Sequence, residues 1–318
     1  MGSPALRPLL APWYRLVPDG DRLLLEHGRA VVVLEGAAVR SFVPALLPLL
    51  DGSRTLDDLE ERLGHSARPA IEATVELLAE HGLVIEGPDA DSESSAGALA
   101  LGAAYGLAPG TAAERLAGAR IGVAGGSPLG AEAARALRSA GVAEVLRLDT
   151  EEDAHVDLML VMPAADEVAL LREWNRLALE RGTCWIGLRP FDGLLWSIGP
   201  LVVPGESCCY ECLLLRLASH LDYGSDAPLI EQSPPAAIGG RALELVALGV
   251  LLQLALGWIV GRDGSLPGVL QVIETRPGIA LSGHSVLRVP RCGACSPAER
   301  LAPRLPWHEA EPTREVAA

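Results

Sequence analysis

Two pairs of cysteines with the same spacing constrain the fold of this chain more than any other feature of its sequence. Cys209 and Cys212 form one Cys-x-x-Cys pair, and Cys292 and Cys295 form a second, which begins 80 positions after the first ends. A two-residue spacer lets both thiolates of a pair reach one ion. Two pairs complete a tetrahedral four-sulfur shell, which suits zinc and leaves no position for a catalytic water. The sequence therefore predicts a structural Zn(2+) site.

Two alternatives to a metal site are four unrelated buried cysteines and a redox Cys-x-x-Cys motif, and the presence of two matched pairs argues against both. Cys208 adjoins the first pair and is an alternative ligand, whereas Cys184 lies in an apolar stretch and is predicted to be a buried thiol. The first ten residues lack the apolar run of a signal peptide, so we expect a cytoplasmic protein, in which disulfides are rare.

A glycine-containing turn lies between a predicted strand and a predicted helix in the second half of the chain. The strand covers residues 120–124, the turn contains Gly125, Ser127 and Gly130, and Asp149 ends the next predicted strand. This is the layout of a nucleotide-binding fingerprint, in which backbone N–H groups hold phosphate and an acidic residue holds the ribose. Ser127 stands where such a fingerprint has its second glycine, and a tight turn without a ligand is the alternative interpretation.

Strand and helix patterns continue to alternate after this turn, which predicts a parallel α/β sheet. The predicted strands cover residues 145–149, 157–162 and 184–188, and the predicted helices cover 131–140 and 166–181. An apolar stretch over 243–260 is interrupted by glutamate, glutamine and glycine and is short for a bilayer span. It predicts a buried helix and no membrane contact.

The first 88 residues predict a separate small α+β domain. Strand-like runs over 13–18 and 22–27 flank an Asp-Gly turn, and a third run over 30–34 follows. Three helical segments and a closing strand complete a pattern typical of a winged-helix-like domain. A Gly-, Ala- and Ser-rich stretch over 89–110 predicts a linker, which leaves 111–318 as a second, Rossmann-like α/β domain.

The charged residues exclude several classes of function. All 26 basic residues are arginine, so there is no phosphate-loop lysine, no Schiff-base lysine and no catalytic lysine amine. A net charge of −15 argues against binding to nucleic acid through its phosphates. The first 90 residues contain fourteen acidic and eight basic residues, which argues against a DNA-binding winged-helix regulator.

The segment that leads into the first cysteine pair resembles a known superfamily. Residues 199–212 (Gly-Pro-Leu-Val-Val-Pro-Gly-Glu-Ser-Cys-Cys-Tyr-Glu-Cys), with the glycine turn and the late second cysteine pair, resemble ThiF-like proteins of the ubiquitin-activating superfamily. The segment over 199–212 is particularly similar to the version found in azole-forming peptide modification clusters. The N-terminal block, with its stretch over 50–56, is similar to PqqD-like peptide-recognition domains. The resemblance implies a ThiF-type domain with structural zinc, a YcaO-type cyclodehydratase as partner, and a homodimer as a further expectation.

The chain departs from this superfamily where ATP is held. Active ThiF-like enzymes use arginine, asparagine, lysine and aspartate side chains, whereas this chain has no lysine and only one asparagine, Asn175. Seven residues separate Asp149 from Asp157, so the stretch that carries the superfamily's nucleotide-binding arginine and asparagine is absent. We therefore expect no catalytic residue and no ATP binding in this chain. The predicted remnants of the nucleotide site are Gly125, Ser127, Gly130 and Asp149.

These features predict a partner protein that binds the leader of a ribosomal precursor peptide and presents the peptide to the cyclodehydratase for azoline and azole formation. The leader would add as a strand to an open sheet edge and contact a neighbouring helix. The predicted peptide-binding residues are Arg29, Val31, Val32, Val33 and Leu34 on the strand, and Thr74, Leu77 and Leu78 on the helix. The alternative is a ThiF-like adenylyltransferase that activates a peptide or carrier-protein carboxylate with ATP.

Overall fold

A computed structural model of the chain describes residues 6–87, 96–108, 110–152, 154–222, 224–226, 233 and 239–296. The chain divides into two compact units, Met1–Gly118 with Ser139–Ala143, and Ala119–Arg138 with Glu144–Ala318. Residues 89–95 and 109 of the predicted linker lie outside the described residues. The predicted domain boundaries at residues 88 and 110 stay a prediction.

The first unit combines small antiparallel sheets with short helices. Its strands are β1 (Pro8–Leu10), β2 (Arg15–Asp19), β3 (Arg22–His27), β4 (Ala30–Glu35) and β5 (Val84–Glu86). Its helices are α1 (Ala37–Ser41), α2 (Val43–Leu46), α3 (Leu56–Leu63), α4 (Arg68–Glu80), α5 (Ala96–Ala104) and α6 (Thr111–Gly118), with 3-10 turns at Leu47–Leu49 and His65–Ala67. The three predicted strands and the closing strand are present, and the winged-helix arrangement stays a prediction.

Two tight turns organise the three-stranded sheet, whose order is β2-β3-β4. Gly20 and Gly28 have φ of 63° and 61°, a conformation that glycine adopts without strain, and each turn places only two residues between paired strand ends. Leu23 and Leu25 of the central strand are buried in the core of the unit. Among the strands that the structure describes, β4 pairs only with β3 and is therefore an edge of this sheet.

The helices of the first unit close over that core. Thr55 begins α3 with a capping box, in which the Asp58 N–H donates to the Thr55 hydroxyl and the Asp58 carboxylate accepts from the Thr55 N–H. On α4, Ile71, Val75 and Leu78 recur at helical spacing and are buried in the same core.

The second unit is built on a seven-stranded sheet. Its strands are β6 (Arg120–Ala124), β7 (Glu144–Arg147), β8 (Leu158–Val161), β9 (Trp185–Leu188), β10 (Leu195–Val202), β11 (Val269–Glu274) and β12 (Ala280–Ser285). Its helices are α7 (Leu129–Ser139), α8 (Ala169–Arg181), α9 (Tyr210–Ser219) and α10 (Arg241–Gly261), with a 3-10 turn at Ala165–Glu167.

The strand order is β12-β11-β10-β9-β8-β6-β7. Strands β7, β6, β8 and β9 are parallel, as the alternating pattern predicts. Beyond the strands that this pattern covers, β10, β11 and β12 continue the sheet as antiparallel neighbours. Only a short turn separates β11 from β12, and so short a connection pairs strands antiparallel.

Helix α10 is largely apolar around its circumference. Its buried residues include Leu248, Leu251, Trp258 and Ile259, and the helix contacts β9 and β10. By length and composition alone the helix is able to span a membrane, and 44% of its most apolar 18-residue window is buried inside the protein. One of its sides therefore packs against the sheet.

Candidate functional site

The four cysteines of the two Cys-x-x-Cys pairs converge at one place in the second unit. Cys209 stands at the N-cap of α9 and Cys212 in its first turn, so three-residue helical spacing puts both sulfurs on one side. Cys292 and Cys295 lie in the turns that follow β12. The Sγ–Sγ distances are 3.8 Å for Cys209–Cys212, 3.8 Å for Cys209–Cys292 and 3.5 Å for Cys212–Cys295, and all four sulfurs lie within 4.8 Å of one another.

These distances fit four thiolates around one metal ion. A tetrahedral ion with metal–sulfur bonds of about 2.3 Å separates its ligand sulfurs by about 3.8 Å. A disulfide would instead bring two sulfurs to about 2.05 Å. The cluster fills four coordination positions with sulfur, which suits a structural rather than a catalytic ion. Cys208 is buried and is not one of the four clustered sulfurs.

Hydrogen bonds within the cluster favour ionisation of one cysteine even without a bound metal ion. The hydrogen bond from the Cys209 thiol, with further help from the Val289 N–H 3.3 Å away, lowers the pKa of Cys212 well below that of an ordinary thiol. The same bond raises the pKa of Cys209, because Cys209 is the proton donor of the pair. Burial raises the pKa of Cys208 to about 12, so that side chain stays a neutral thiol.

A buried asparagine on a neighbouring helix holds the first pair. Asn175 of α8 accepts a hydrogen bond at Oδ1 from the Tyr210 N–H at 2.9 Å. Arg172 on the same helix pairs with Glu211 at 3.3 Å. The sequence analysis did not predict this role for Asn175. That it is the only asparagine in the chain is a feature of the sequence that could have drawn attention to it.

Two arginines hold the second pair. Arg216 of α9 donates to the carbonyl oxygens of Leu287 and Arg288 at 2.6 and 3.1 Å. Arg288 donates to the carbonyl oxygens of Gly205 and Cys295 at 2.7 and 3.1 Å, and to Ser296 Oγ at 2.8 Å. The loop that carries Cys292 and Cys295 is thereby tied to α9 and to the segment before it.

The glycines of the predicted nucleotide turn have packing roles of their own. Gly125 has φ of 98°, and a Cβ there would lie 2.2 Å from the Met162 carbonyl oxygen. At Gly130 a Cβ would lie 2.2 Å from the Arg147 guanidinium, which also donates to the Gly125 carbonyl oxygen at 2.6 Å. The Met162 backbone therefore requires glycine at position 125, whereas the neighbour at position 130 is the movable end of an arginine side chain.

A cleft of about 600 Å³ opens beside this turn. Four carboxylates and one guanidinium line it, and the charged lining residues are Arg147, Asp149, Glu151, Glu167 and Glu173. The predicted residue Asp149 therefore lines the same cleft as Gly125. Ser127 N–H donates to the Met162 carbonyl oxygen at 3.2 Å. Arg147 and Glu167 were not predicted from the sequence, since neither belongs to a recognisable motif.

The predicted peptide-binding residues divide by exposure. Val31, Val33 and Leu77 expose 52%, 40% and 42% of their surface. Arg29 is exposed in the turn before β4, and Val32 and Thr74 are half-buried. Leu34 and Leu78 are buried, with 8% and 0% exposed, and pack in the core of the first unit. The Leu78 side chain therefore has no surface to offer a peptide.

No family model matches the chain, and no curated protein matches it. Among solved structures, a heterocyclase in complex with substrate and cofactor is 24% identical with a TM-score of 0.67, over 92% of this chain and 40% of the heterocyclase. The heterocyclase TruD is 23% identical with a TM-score of 0.68, over 92% of this chain and 43% of TruD. The Escherichia coli protein MccB, with AMPCPP and MccA, is 15% identical with a TM-score of 0.58, over 91% of this chain and 99% of MccB.

This chain therefore spans about two fifths of the heterocyclase chains and nearly all of MccB. At these identities the comparisons establish a shared fold. One heterocyclase structure contains substrate and cofactor, and MccB, a microcin C7 biosynthetic enzyme, has been seen in complex with N-formylated MccA. The chain has the fold of a heterocyclase segment and of MccB.

Proposed function

We propose that this chain is a leader-peptide-binding partner protein. It would capture a ribosomal precursor peptide and present Cys, Ser or Thr residues to a YcaO-type cyclodehydratase, which forms azolines and azoles with ATP. The fold shared with a substrate-bound heterocyclase and with MccA-bound MccB supports a role in peptide modification. Capture raises the local concentration of the peptide at the partner enzyme, so this chain itself needs no catalytic group.

The observation that carries the proposal is the open edge of β4. The two-residue turn between β3 and β4 is flanked by His27 and Ala30, which form a hydrogen-bonded pair. Along the two strands, hydrogen-bonded pairs then alternate with pairs that are not hydrogen-bonded. Val32 is thus bonded to β3, while the backbone N–H and C=O groups of Val31 and Val33 are directed to the open edge. An extended peptide is able to add there as a fourth strand.

The opposite edge of the same sheet is less suited to a fourth strand. The turn at Gly20 is flanked by the hydrogen-bonded pair Asp19 and Arg22. By the same alternation, the backbone polar groups of Leu16 and Pro18 on β2 point to that edge. Pro18 has no N–H and therefore interrupts a ladder of hydrogen bonds. Because the β4 edge has no such proline, we assign the leader to β4.

Side chains beside the β4 edge would give the leader its specificity. Val31 and Val33 share a face of the sheet and are exposed, so apolar leader side chains on that face would pack beside them. Leu77 is the exposed apolar residue of the predicted helix set. Arg29 is exposed and Thr74 is half-buried, so each offers the leader a polar group. We leave Leu78 out of this set because it is fully buried.

Zinc is the ion that we assign to the four-cysteine cluster. Cys209, Cys212, Cys292 and Cys295 would hold it, and four thiolates favour zinc over ions that prefer oxygen ligands. When bound, the ion supplies a cross-link between α9 and the loop after β12. It takes no part in a reaction, and its role here is folding stability. A cytoplasmic location and a homodimer complete the proposal.

Adenylation is the second candidate function. The likeness to MccB with AMPCPP covers 99% of that chain, and the cleft beside Gly125 lies where a strand-turn-helix unit binds nucleotides. Adenylation needs cations near the phosphates as charge develops there. The cleft presents one guanidinium against four carboxylates, which disfavours this function.

Fluorescence polarisation with the full-length chain tests the proposal. The probe is a fluorescein-labelled synthetic leader peptide, taken from the nearest short open reading frame beside this gene. We expect submicromolar binding, a loss of at least tenfold in Val33→Pro, which removes an edge N–H, and less than twofold change in the matched Leu16→Pro on the opposite edge. Equal losses in both variants, or no binding by the wild type, would contradict the proposal. ATP–pyrophosphate exchange by the chain alone would favour adenylation.

A further inference from the structure

The glycine turn of the second unit holds a carboxylate in the place where such turns hold a phosphate. Glu167 Oε2 accepts hydrogen bonds from the Gly126 N–H at 2.6 Å and the Ala164 N–H at 3.0 Å. We infer that Glu167 is the turn's built-in anion and that it determines ligand specificity there by excluding phosphates and other anions. The inference concerns this turn alone and does not depend on the proposed peptide binding.

Every described backbone donor from Gly126 to Gly130 already has an acceptor in the protein. Gly126 donates to Glu167 and Ser127 to the Met162 carbonyl oxygen. Leu129 donates to Ser127 Oγ at 3.3 Å and Gly130 to the Ser127 carbonyl oxygen at 3.1 Å. Pro128, the remaining residue of the turn, has no N–H. An incoming phosphate would have to displace an existing bond to gain one.

The position of Glu167 leaves no room for a second anion at Gly126. A Cβ built on Gly126 would lie 2.7 Å from both carboxylate oxygens, so the carboxylate lies directly against this α-carbon. In nucleotide-binding turns the second glycine of the fingerprint, whose position Ser127 occupies next to Gly126, lets the ligand approach the backbone. Here the close approach is made by Glu167 itself.

The cation of the cleft is also engaged. Arg147 donates to the Gly125 carbonyl oxygen, lies over Gly130, and contributes a favourable charge to Glu167. Arg147 is therefore a positioning residue that stabilises the internal anion. The remaining charges of the cleft belong to Asp149, Glu151 and Glu173, which repel an anionic ligand.

Removal of the Glu167 carboxylate should convert the turn into a weak anion site. In Glu167→Ala the N–H groups of Gly126 and Ala164 and the Arg147 guanidinium would face an empty position. The matched control is Glu173→Ala, which removes one negative charge from the same cleft and leaves the turn's hydrogen bonds in place. Glu167→Gln removes the charge and keeps an acceptor oxygen, and it serves as the second variant.

The test is a titration of each full-length protein with inorganic phosphate, with sodium chloride at equal ionic strength as reference, followed by thermal unfolding and calorimetry. We expect a saturable rise in melting temperature for Glu167→Ala, with phosphate binding at least tenfold tighter than in the wild type. A smaller saturable rise is expected for Glu167→Gln, and less than twofold change for Glu173→Ala. If Glu167→Ala does not fold, the Gln variant decides. Phosphate binding by the wild type, or no response in the folded Glu167 variants, overturns the inference.

Discussion

Asn175 caps a helix to which it does not belong: its Oδ1 accepts a hydrogen bond from the backbone N–H of Tyr210 at 2.9 Å. Tyr210 is the first residue of α9, and first-turn N–H groups have no acceptor within their own helix. The N-cap residue is Cys209, whose sulfur lies in the four-cysteine cluster and forms no cap. The Asn175 side chain on α8 therefore caps α9 in place of the N-cap residue Cys209.

Loss of this cap should weaken the second unit. We expect Asn175→Ala to lower the free energy of unfolding by about 1–2 kcal/mol, because a buried N–H is left without its acceptor. Asn175 is only 4% exposed, so water has little access to replace the bond. Urea unfolding of the zinc-loaded protein measures the change. Arg176→Ala, at the exposed neighbour that pairs with Glu180, is the control and should stay within about 0.5 kcal/mol. Equal stability of Asn175→Ala and wild type would exclude the capping role.

Metal content should depend on the clustered cysteines alone. We expect one zinc per wild-type chain by elemental analysis, and its loss in Cys212→Ser with a large fall in melting temperature, because structural zinc contributes on the order of 10 kcal/mol to folding. Cys184→Ser is the matched control, since Cys184 is half-buried and outside the cluster. Retention of stoichiometric zinc in Cys212→Ser, or its loss in Cys184→Ser, would contradict the assignment of ligands.

Gly125 and Gly249 should respond in opposite ways to alanine. A Cβ at Gly125 meets the Met162 backbone at 2.2 Å, and φ of 98° is unfavourable for alanine, so we expect Gly125→Ala to lose about 2–4 kcal/mol of stability. Gly249 lies within α10 and a Cβ there meets nothing within 4 Å, so Gly249→Ala should be neutral or stabilising by up to about 1 kcal/mol. Chemical unfolding of both variants provides the comparison. A tolerated Gly125→Ala would show that the turn adapts and that the glycine serves another purpose.

The features that sequence reasoning predicted are those encoded locally. Cys209 and Cys212 carry their spacing in four consecutive residues, and two-residue turns at Gly20 and Gly28 identify the strands beside them. Asn175 and Tyr210 are separated by 35 positions and meet only after α8 and α9 pack together. No periodicity in the sequence reports such a contact.

The glycine turn illustrates the limit of a motif. Gly125, Ser127 and Gly130 were recognised as a strand-to-helix turn, and the structure has that turn. Its chemistry is decided by Glu167, which lies 41 positions after Gly126 and reaches it through a 3-10 turn. Arg147 enters from the end of a neighbouring strand. The residues that determine what the turn accepts are therefore outside the motif.

The stability of the second unit should depend on pH through Glu167. Hydrogen bonds from the Ala164 and Gly126 N–H groups, with the charge of Arg147, lower the pKa of Glu167 in the folded protein. A carboxyl group whose pKa is lowered by folding stabilises the protein above its unfolded pKa of about 4.3, and this stabilisation is lost as the pH falls through the folded pKa. Wild type should therefore melt a few degrees above Glu167→Gln at pH 7, with the gap closing as the pH falls below about 4.

Glu173→Gln is the control for this pH series, because Glu173 lines the same cleft and lies outside the turn. Thermal unfolding in buffers of equal ionic strength between pH 3 and pH 7, within the range where each protein unfolds reversibly, provides the curves. We expect Glu173→Gln to follow the wild-type curve in shape. A difference in melting temperature between wild type and Glu167→Gln that stays constant over the whole series would contradict this prediction. It would mean that the charge of Glu167 adds no stability beyond that of its hydrogen bonds.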